Sequence, residues 1–361
     1  MNILFDHLCF WQRYGGVPRY FIEIMKRISP DNYTCTAKIS NNEYLHEIGI
    51  RPIPFFPKIK FRGKSRIESE IGKIISLPTI VKGNYDIYHQ THYDPYAYRF
   101  LPKNVKTVTT IHDLNFYTIP EFYPVNNRTK RHMEQSVELA DHIVTISQNS
   151  KQDLIKYLGC REDKISVIYH GIDVDKFAHI SNTITIEAPF ILYVGARNKY
   201  KNFESVVRSF AILRKKFSDL QMFCAGTAPS SSELRLLADN NVINNTVFCQ
   251  CSDEELVELY NKALLFVFPS YYEGFGLPIL EAMAAGCPVV LSNTSCFPEI
   301  AGDAGCYFNP YDIDSMVDSL EKVIINTSLR EKMIQKGKER IGQFSWSESA
   351  AKHLSLYKSI L

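Results

Sequence analysis

Two carboxylates set eight residues apart, Glu273 and Glu281, bracket a glycine-bearing turn in FPSYYEGFGLPILEAMAAGCPVV, the stretch from Phe268 to Val290. Gly274, Phe275, Gly276 and Leu277 fill the turn. Pro278 then stands at the start of a helix expected over Ile279–Ala285, where its missing N–H costs nothing. Gly286 is a natural left-handed stop for that helix. Free N–H groups at such a helix start receive phosphate oxygens, and carboxylates beside them accept hydrogen bonds from ribose or sugar hydroxyls. The spacing also fits a surface helix with an acidic first turn, so both readings stand on these residues alone.

Three other places carry side chains or bare backbone with chemistry to offer. Gly15 and Gly16 follow the first strand, where they either admit a diphosphate or leaving sugar to the backbone or simply make a turn. His112, followed by Asp113, ends the run TVTTIH at the carboxyl end of a strand, the edge where open α/β sheets bind ligands. A satisfied structural pair is the alternative there. Gly195 closes a strand in YVGARNKYKN, and Arg197 and Lys201 follow before a helix. Cations at a helix start oppose its dipole, so an anion is expected to offset them, and a departing diphosphate would gain from both charges.

These groups need a scaffold, and the chain supplies it twice. Strand-like runs at Asn2–Phe5, Asp86–His89, Val105–His112 and His142–Ser147 alternate with helical segments, one beginning near Pro18 and one capped by the Ser150-x-x-Asp153 pattern. The second half repeats the plan with strands at Phe190–Val194, Gln221–Ala225, Thr246–Phe248, Leu264–Phe268 and Pro288–Leu291. Such alternation predicts an α/β protein with parallel sheets under helices. The polar stretch Asp173–Ala188, without sustained period, reads as a linker. The last segment, from Trp346, shows an apolar stripe of Ala350, Leu354, Tyr357 and Ile360 or Leu361.

The segment from Phe268 resembles the Glu-x7-Glu signature of GT4-type retaining glycosyltransferases (glycosyl transferases group 1), with Glu273 and Glu281 on the two Glu positions. The match runs through GFGLP to Pro298 and Glu299. Arg197 and Lys201 align with the family's basic pair, and Gly171 and Asp173 with its Asn-Gly-Ile-Asp pattern, in which His170 replaces the Asn and so has an open role. The likeness covers the second half well and is thinner in the first, where it rests on Gly16, His112 and Ser147.

That resemblance implies a GT-B fold, two Rossmann-like doubly wound domains facing across a cleft. Residues 1–172 would bind the acceptor, 173–188 link, 189–343 bind the nucleotide sugar, and 344–361 form a helix crossing back to the first domain. Glu281 would hold the ribose, Glu273 the sugar hydroxyls, Arg197 and Lys201 the pyrophosphate, and His112 would touch the donor sugar near the reacting carbon, with Asp113 orienting the imidazole or its loop. Gly15, Gly16, Gly195, Gly274, Phe275, Gly276, Leu277 and Glu299 would complete the donor site. The implied reaction moves a sugar, first GDP-mannose and next UDP-sugars as donors, to a hydroxyl of a glycan or lipid-linked glycan in O-antigen or capsule-type polysaccharide synthesis. No carboxylate pair suited to double displacement is visible, and the resemblance implies a same-face reaction in which the leaving phosphate takes the acceptor's proton.

Composition narrows the partners. A chain of 361 residues suits two domains, and 45% hydrophobic with 22% charged residues suits a globular protein. A net charge of +2 does not suggest nucleic acid as a partner. No apolar run is long enough to span a bilayer, and the N-terminal segment lacks signal-peptide features, so a cytoplasmic location is expected. No cofactor and no metal are expected either. The Asp173–Asp175 and Asp312–Asp314 triplets offer too few oxygens for a hard cation, and Cys249 and Cys251 lack the remaining ligands of a zinc site. Lys58, Lys60, Arg62, Lys64 and Arg66 precede Ile67, Ile71, Ile74 and Ile75. This is either a solvated charged face or a surface for anionic membrane at the inner leaflet. The rival readings are a nucleotide-sugar epimerase or phosphorylase of the same architecture and a non-catalytic nucleotide-sugar-binding subunit. A nicotinamide dehydrogenase is disfavoured because no strand leads into a Gly-x-Gly-x-x-Gly turn.

Overall fold

A computed structural model describes residues 1–59, 61–177 and 184–361. The chain divides into two compact units: Met1–Phe116 with Tyr123–Gly171 and Ser345–Leu361, and Tyr117–Phe122 with Ile172–Phe344.

The first unit is built on strands β1 (Ile3–Phe5), β2 (Tyr33–Cys35), β3 (Ile87–Gln90), β4 (Lys106–Ile111), β5 (His142–Thr145) and β6 (Ile165–Val167). They form one parallel sheet in the order β2-β1-β3-β4-β5-β6. In the second unit β7 (Phe190–Val194), β8 (Gln221–Ala225), β9 (Thr246–Cys249), β10 (Leu265–Phe268), β11 (Val289–Ser292) and β12 (Gly305–Phe308) form another, in the order β12-β11-β10-β7-β8-β9. This is the doubly wound order whose reversal lies between its first and fourth strands, here β7 and β10. Central strands such as β10, LFVF, are buried at every position, as helices on both faces require.

Three of these strands, β2, β6 and β12, were not expected from the sequence. Each is a sheet edge of three or four residues with partly exposed positions, so it carries no continuous apolar run. The helix over Gln148–Leu158 is capped by Ser147, whose hydroxyl accepts the Ser150 N–H at 3.1 Å, and not by Ser150. Ser147 is the extended residue, as a cap must be, and Ser150 already lies within the helix. Gly159 ends that helix at φ +63°.

The described parts of the expected linker carry bonds to distant residues. They fall in the second unit: just before them Ile172 N–H donates to Phe344 O at 3.2 Å, Val174–Phe177 make a 3-10 turn, and Ile184 N–H reaches Glu258 Oε1 at 2.9 Å. Residues 178–183 of that expected linker, and Lys60 of the basic segment, lie outside the described residues. Short polar segments gain order here from bonds to distant residues, which periodicity does not register.

The Trp346–Ile360 helix packs in the first unit against the Gly16–Met25 helix. Its buried stripe includes His353 and Leu356, while Leu361 is exposed. His353 is accommodated because Nε2 meets the Tyr20 hydroxyl at 2.7 Å and Nδ1 meets Ser349 O at 2.8 Å. Lys64–Lys82 form a second helix of this unit, and it docks through Glu68, Gly72, Ser76 and Ile80, leaving Ile67 and Ile74 exposed. The small residues let its backbone approach His7: a Cβ on Gly72 would overlap the His7 ring, and Ser76 Oγ lies 3.0 Å from His7 Nδ1.

Candidate active site

In the second unit the chemistry gathers at the carboxyl ends of β7, β10 and β11. After β7, Gly195 turns at φ +109°, a conformation that favours glycine, with its N–H on Ala225 O at 2.9 Å. A short 3-10 turn over Lys199–Lys201 follows, and Asn202, left-handed at φ +54°, leads into the Phe203–Arg214 helix. That residue is held from two sides: its amide donates to Pro310 O at 2.9 Å and its carbonyl accepts the Tyr271 hydroxyl at 3.0 Å. The loop after β10 is thereby tied to the loop after β7, and Tyr271 N–H adds a bond to Tyr200 O at 2.9 Å.

This tie brings Lys201 and Glu273 together as an ion pair. Ser270 Oγ also donates to the same carboxylate oxygen at 2.7 Å, and Lys201 Nζ lies 5.7 Å from the Phe268 ring centre. Ser295, left-handed at φ +55°, donates from Oγ to Glu273 O at 2.5 Å and accepts the Glu273 N–H at 3.2 Å. The backbone of the acid is thus clamped by the loop after β11.

Past Glu273, Gly274 and Phe275 are buried, and Gly276 turns at φ +92° before the helix Leu277–Ala284. Its backbone conformation favours glycine, and a Cβ there would in addition push the Ile279 Cδ1 at 2.9 Å aside. Pro278 occupies the first turn. Glu281 sits in the body of this helix, with Tyr260, fully buried, donating its hydroxyl at 3.3 Å. Glu299 lies in the short Phe297–Ala301 helix, where the Arg340 guanidinium holds its carbonyl and that of Ile300, the latter at 2.9 Å.

Arg197 is placed differently from Lys201. Its side chain is 2% exposed, Nε pairs with Glu233 Oε1 at 2.7 Å, and Nη2 donates to Thr227 O at 2.7 Å and Ala228 O at 3.1 Å. Nη1 is buried without a hydrogen-bond partner. Sequence reasoning missed Glu233, Ser270, Ser295 and Tyr260. Only Glu233 carried a signal, as the first-turn acid at the third helical position of the Ser230-x-x-Glu233 capping box, and the box forms.

In the first unit, Gly15 caps the Gly16–Met25 helix and a Cβ there would overlap Gln12 Oε1, whereas a Cβ on Gly16 meets nothing within 4 Å. Packing alone therefore requires neither glycine, since the Gln12 side-chain end can move aside. His112 follows β4 with its N–H on the Tyr93 hydroxyl at 3.0 Å and its ring edge-on to Tyr20 at 5.2 Å. Nε2 is buried without a partner, and burial pushes the imidazole pKa down to about 3, so the ring is neutral. Asp113 accepts the Asn115 N–H at 3.2 Å, a loop-holding contact. His170 stacks on Tyr20 at 4.9 Å, and Gly171 leaves no room for a Cβ against the Trp346 backbone, so this corner of the family pattern has a packing reason. Among the described residues no group of three or more His, Cys, Asp and Glu is arranged to hold a metal ion.

A sheet-end cluster of this kind suits a nucleotide, and two family models divide the chain accordingly. Residues 14–176 match Glycosyltransferase Family 4 and residues 175–340 match Glycosyl transferases group 1. The chain belongs to the family 4 glycosyltransferases. This glycosyltransferase is 26% identical to O-antigen chain mannosyltransferase B of Escherichia coli over 95% of this chain and 96% of that one. It is 27% identical to O-antigen chain mannosyltransferase RfbU of Salmonella typhimurium over 69% of this chain and 68% of the relative. A 27% match to the serotype-specific mannosyltransferase WbdA of Escherichia coli takes in 74% of this chain and only 35% of that longer protein. Solved structures share its GT-B fold. Sucrose-phosphate synthase of Thermosynechococcus elongatus superposes with a TM-score of 0.79 at 18% identity over 100% of this chain and 99% of that one. HepE of Anabaena, solved with UDP and glucose, gives 0.79 at 17% identity over the whole of both chains.

Proposed function

We propose that this glycosyltransferase transfers mannose from GDP-mannose, with retention, to a hydroxyl of a glycan or lipid-linked glycan in surface polysaccharide assembly. The observation that carries the donor site is the Lys201–Glu273 pair beside the Gly274–Gly276 turn, at the reversal point of the second sheet. The O-antigen mannosyltransferase names of its relatives support the sugar and the pathway class.

In this reading the pyrophosphate takes Lys201 from Glu273, freeing that carboxylate to accept sugar hydroxyls, and Glu281 accepts from the ribose. Arg197 contributes through Nη1, the one guanidinium nitrogen left without a partner. Departure of the nucleotide is stabilised by charges already in place, and the leaving phosphate oxygen takes the acceptor's proton. The neutral His112 would contribute hydrogen bonding, not charge. No residue of this chain is asked to form a covalent intermediate.

Thermal shift against GDP, GDP-mannose, UDP and UDP-glucose tests the donor: the true one raises the midpoint, because a ligand of the folded state alone stabilises it. UDP-sugars form the second reading, favoured by the UDP-bound HepE structure. A flat response to all four would refute a nucleotide-sugar donor of either kind.

We also place this protein against anionic membrane through the first unit. No helix among the described residues is long and apolar enough to cross a membrane. Phe56, Ile59, Phe61, Ile67 and Ile74 are nonetheless exposed in and beside the basic run of Lys58, Arg62, Lys64 and Arg66. Flotation with phosphatidylglycerol vesicles at low salt should carry the protein upward, and failure to float removes the membrane from the proposal.

A further inference from the structure

A cavity of about 830 Å³ in the first unit is bordered by Trp11, Gln12, Tyr14, Asn42, Glu68 and neighbouring residues. Gln12 Oε1 fills the space where a Cβ on Gly15 would lie, so the cavity and the glycine turn share a wall. Two large rings face outward here: Trp11 is 38% exposed and Tyr14 57%. Glu68 is the reverse case, a carboxylate only 4% exposed whose Oε1 has no hydrogen-bond partner. Burial raises its pKa, while the Asn41 amides and the Lys64 charge lower it. A buried acceptor without a donor costs stability, so this group points to a ligand that supplies one.

Asn42, Arg13 and Glu43 on the same wall are already engaged. Asn42 accepts the Tyr44 N–H at 3.0 Å and donates to Gln12 O at 2.6 Å, and Arg13 pairs with Glu43 at 2.9 Å. The wall's charges, Arg13 and Lys64 against Glu43 and Glu68, balance. A neutral ligand with hydroxyl donors for a carboxylate and C–H faces for flat rings is a carbohydrate. Trp11 and Ser65 also border a second cavity of about 380 Å³, so the two spaces adjoin at these residues. The larger cavity alone exceeds what one hexose fills and lies within the roughly 300–1,000 Å³ of small-molecule sites.

We propose that this is the acceptor subsite, taking a neutral oligosaccharide of at least two hexoses stacked on Trp11, a hydroxyl donating to Glu68, and the accepting end toward Gly15. The inference rests on the reading of the enzyme as acting on a glycan. It predicts that the enzyme elongates chains and uses single sugars poorly.

Tryptophan emission provides the test, since the second of the two tryptophans, Trp346, is buried at 5% exposure. Titrating the full chain with α-mannotriose should change the emission saturably, with methyl α-mannoside needing about tenfold more for half-saturation. Trp11→Phe should abolish the change. Glu68→Gln, which removes a buried charge and should fold at least as well, should raise the half-saturation concentration about tenfold. Equal half-saturation for mono- and trisaccharide, a response surviving Trp11→Phe, or no response overturns the inference. Thermal shift with GDP-mannose on the same sample separates the two ideas: an intact nucleotide response without a sugar response sinks the acceptor subsite alone.

Discussion

Of the ten histidines, His179 lies outside the described residues and the other nine all fall in the first unit. Five of them, His7, His89, His112, His170 and His353, are buried. The second unit places its interior polarity in charged pairs instead, Arg197 with Glu233 and Lys201 with Glu273. Both units use the same doubly wound plan, yet only the first buries a cluster of neutral imidazoles among its described residues, while the second relies on matched opposite charges. Neutral imidazoles cost little to bury at neutral pH but become a liability in acid, whereas paired charges are indifferent to mild acid and sensitive to loss of a partner.

Mild acid should separate the units most clearly. Burial holds His353 and His7 near pKa 4, His112 near 3, and His89 and His170 well below the ordinary 6.5. The unfolded chain therefore binds protons that the folded unit refuses, so stability falls as pH drops below about 6.5 and keeps falling until the folded-state values are passed. Asp6, raised to about 6 by burial, acts the other way between pH 6 and its unfolded value of 3.8, against these five and His92, which burial also holds near 4. Hydrogen exchange followed by mass spectrometry at pH 7 and pH 5 should show the first unit opening first. Equal loss of protection in both would break the comparison.

In the second unit, Lys201→Ala and Glu273→Ala should each cost roughly 3 kcal/mol of transition-state stabilisation, more than a hundredfold in kcat. Nucleotide release with acceptor present is the measurement, and near-normal turnover would refute the assigned roles. Glu233→Ala should act on folding, removing about 2–3 kcal/mol, somewhat below the usual loss for breaking a fully buried pair because Glu233 is 18% exposed. Urea midpoints with an unchanged m-value would show it. The smallest effect belongs to a cap: Ser147→Ala should cost about 1 kcal/mol, read from the same urea curves.

The motif in the second unit was legible because its parts are local. Gly276, Pro278 and Gly286 sit where turn, helix start and helix stop require them, and the strands β7, β8 and β10 are uninterrupted apolar runs. Edge strands β2, β6 and β12 were illegible for the opposite reason, since half-exposed short strands look like any loop. The basic run before Ile67 was legible as composition, but its docking through Gly72 and Ser76 was not.

By itself the amino-acid order determined the alternation of strands and helices, the glycine turns and the family to which they belong, because these depend on neighbours a few residues apart. Tertiary structure alone decided that Arg197 spends its charge on Glu233 while Lys201 shares Glu273 with Ser270, and that His353 is an interior residue. Those outcomes depend on partners 36, 72 and 333 residues away, whose approach depends on the register of whole sheets and helices and leaves no mark on local periodicity.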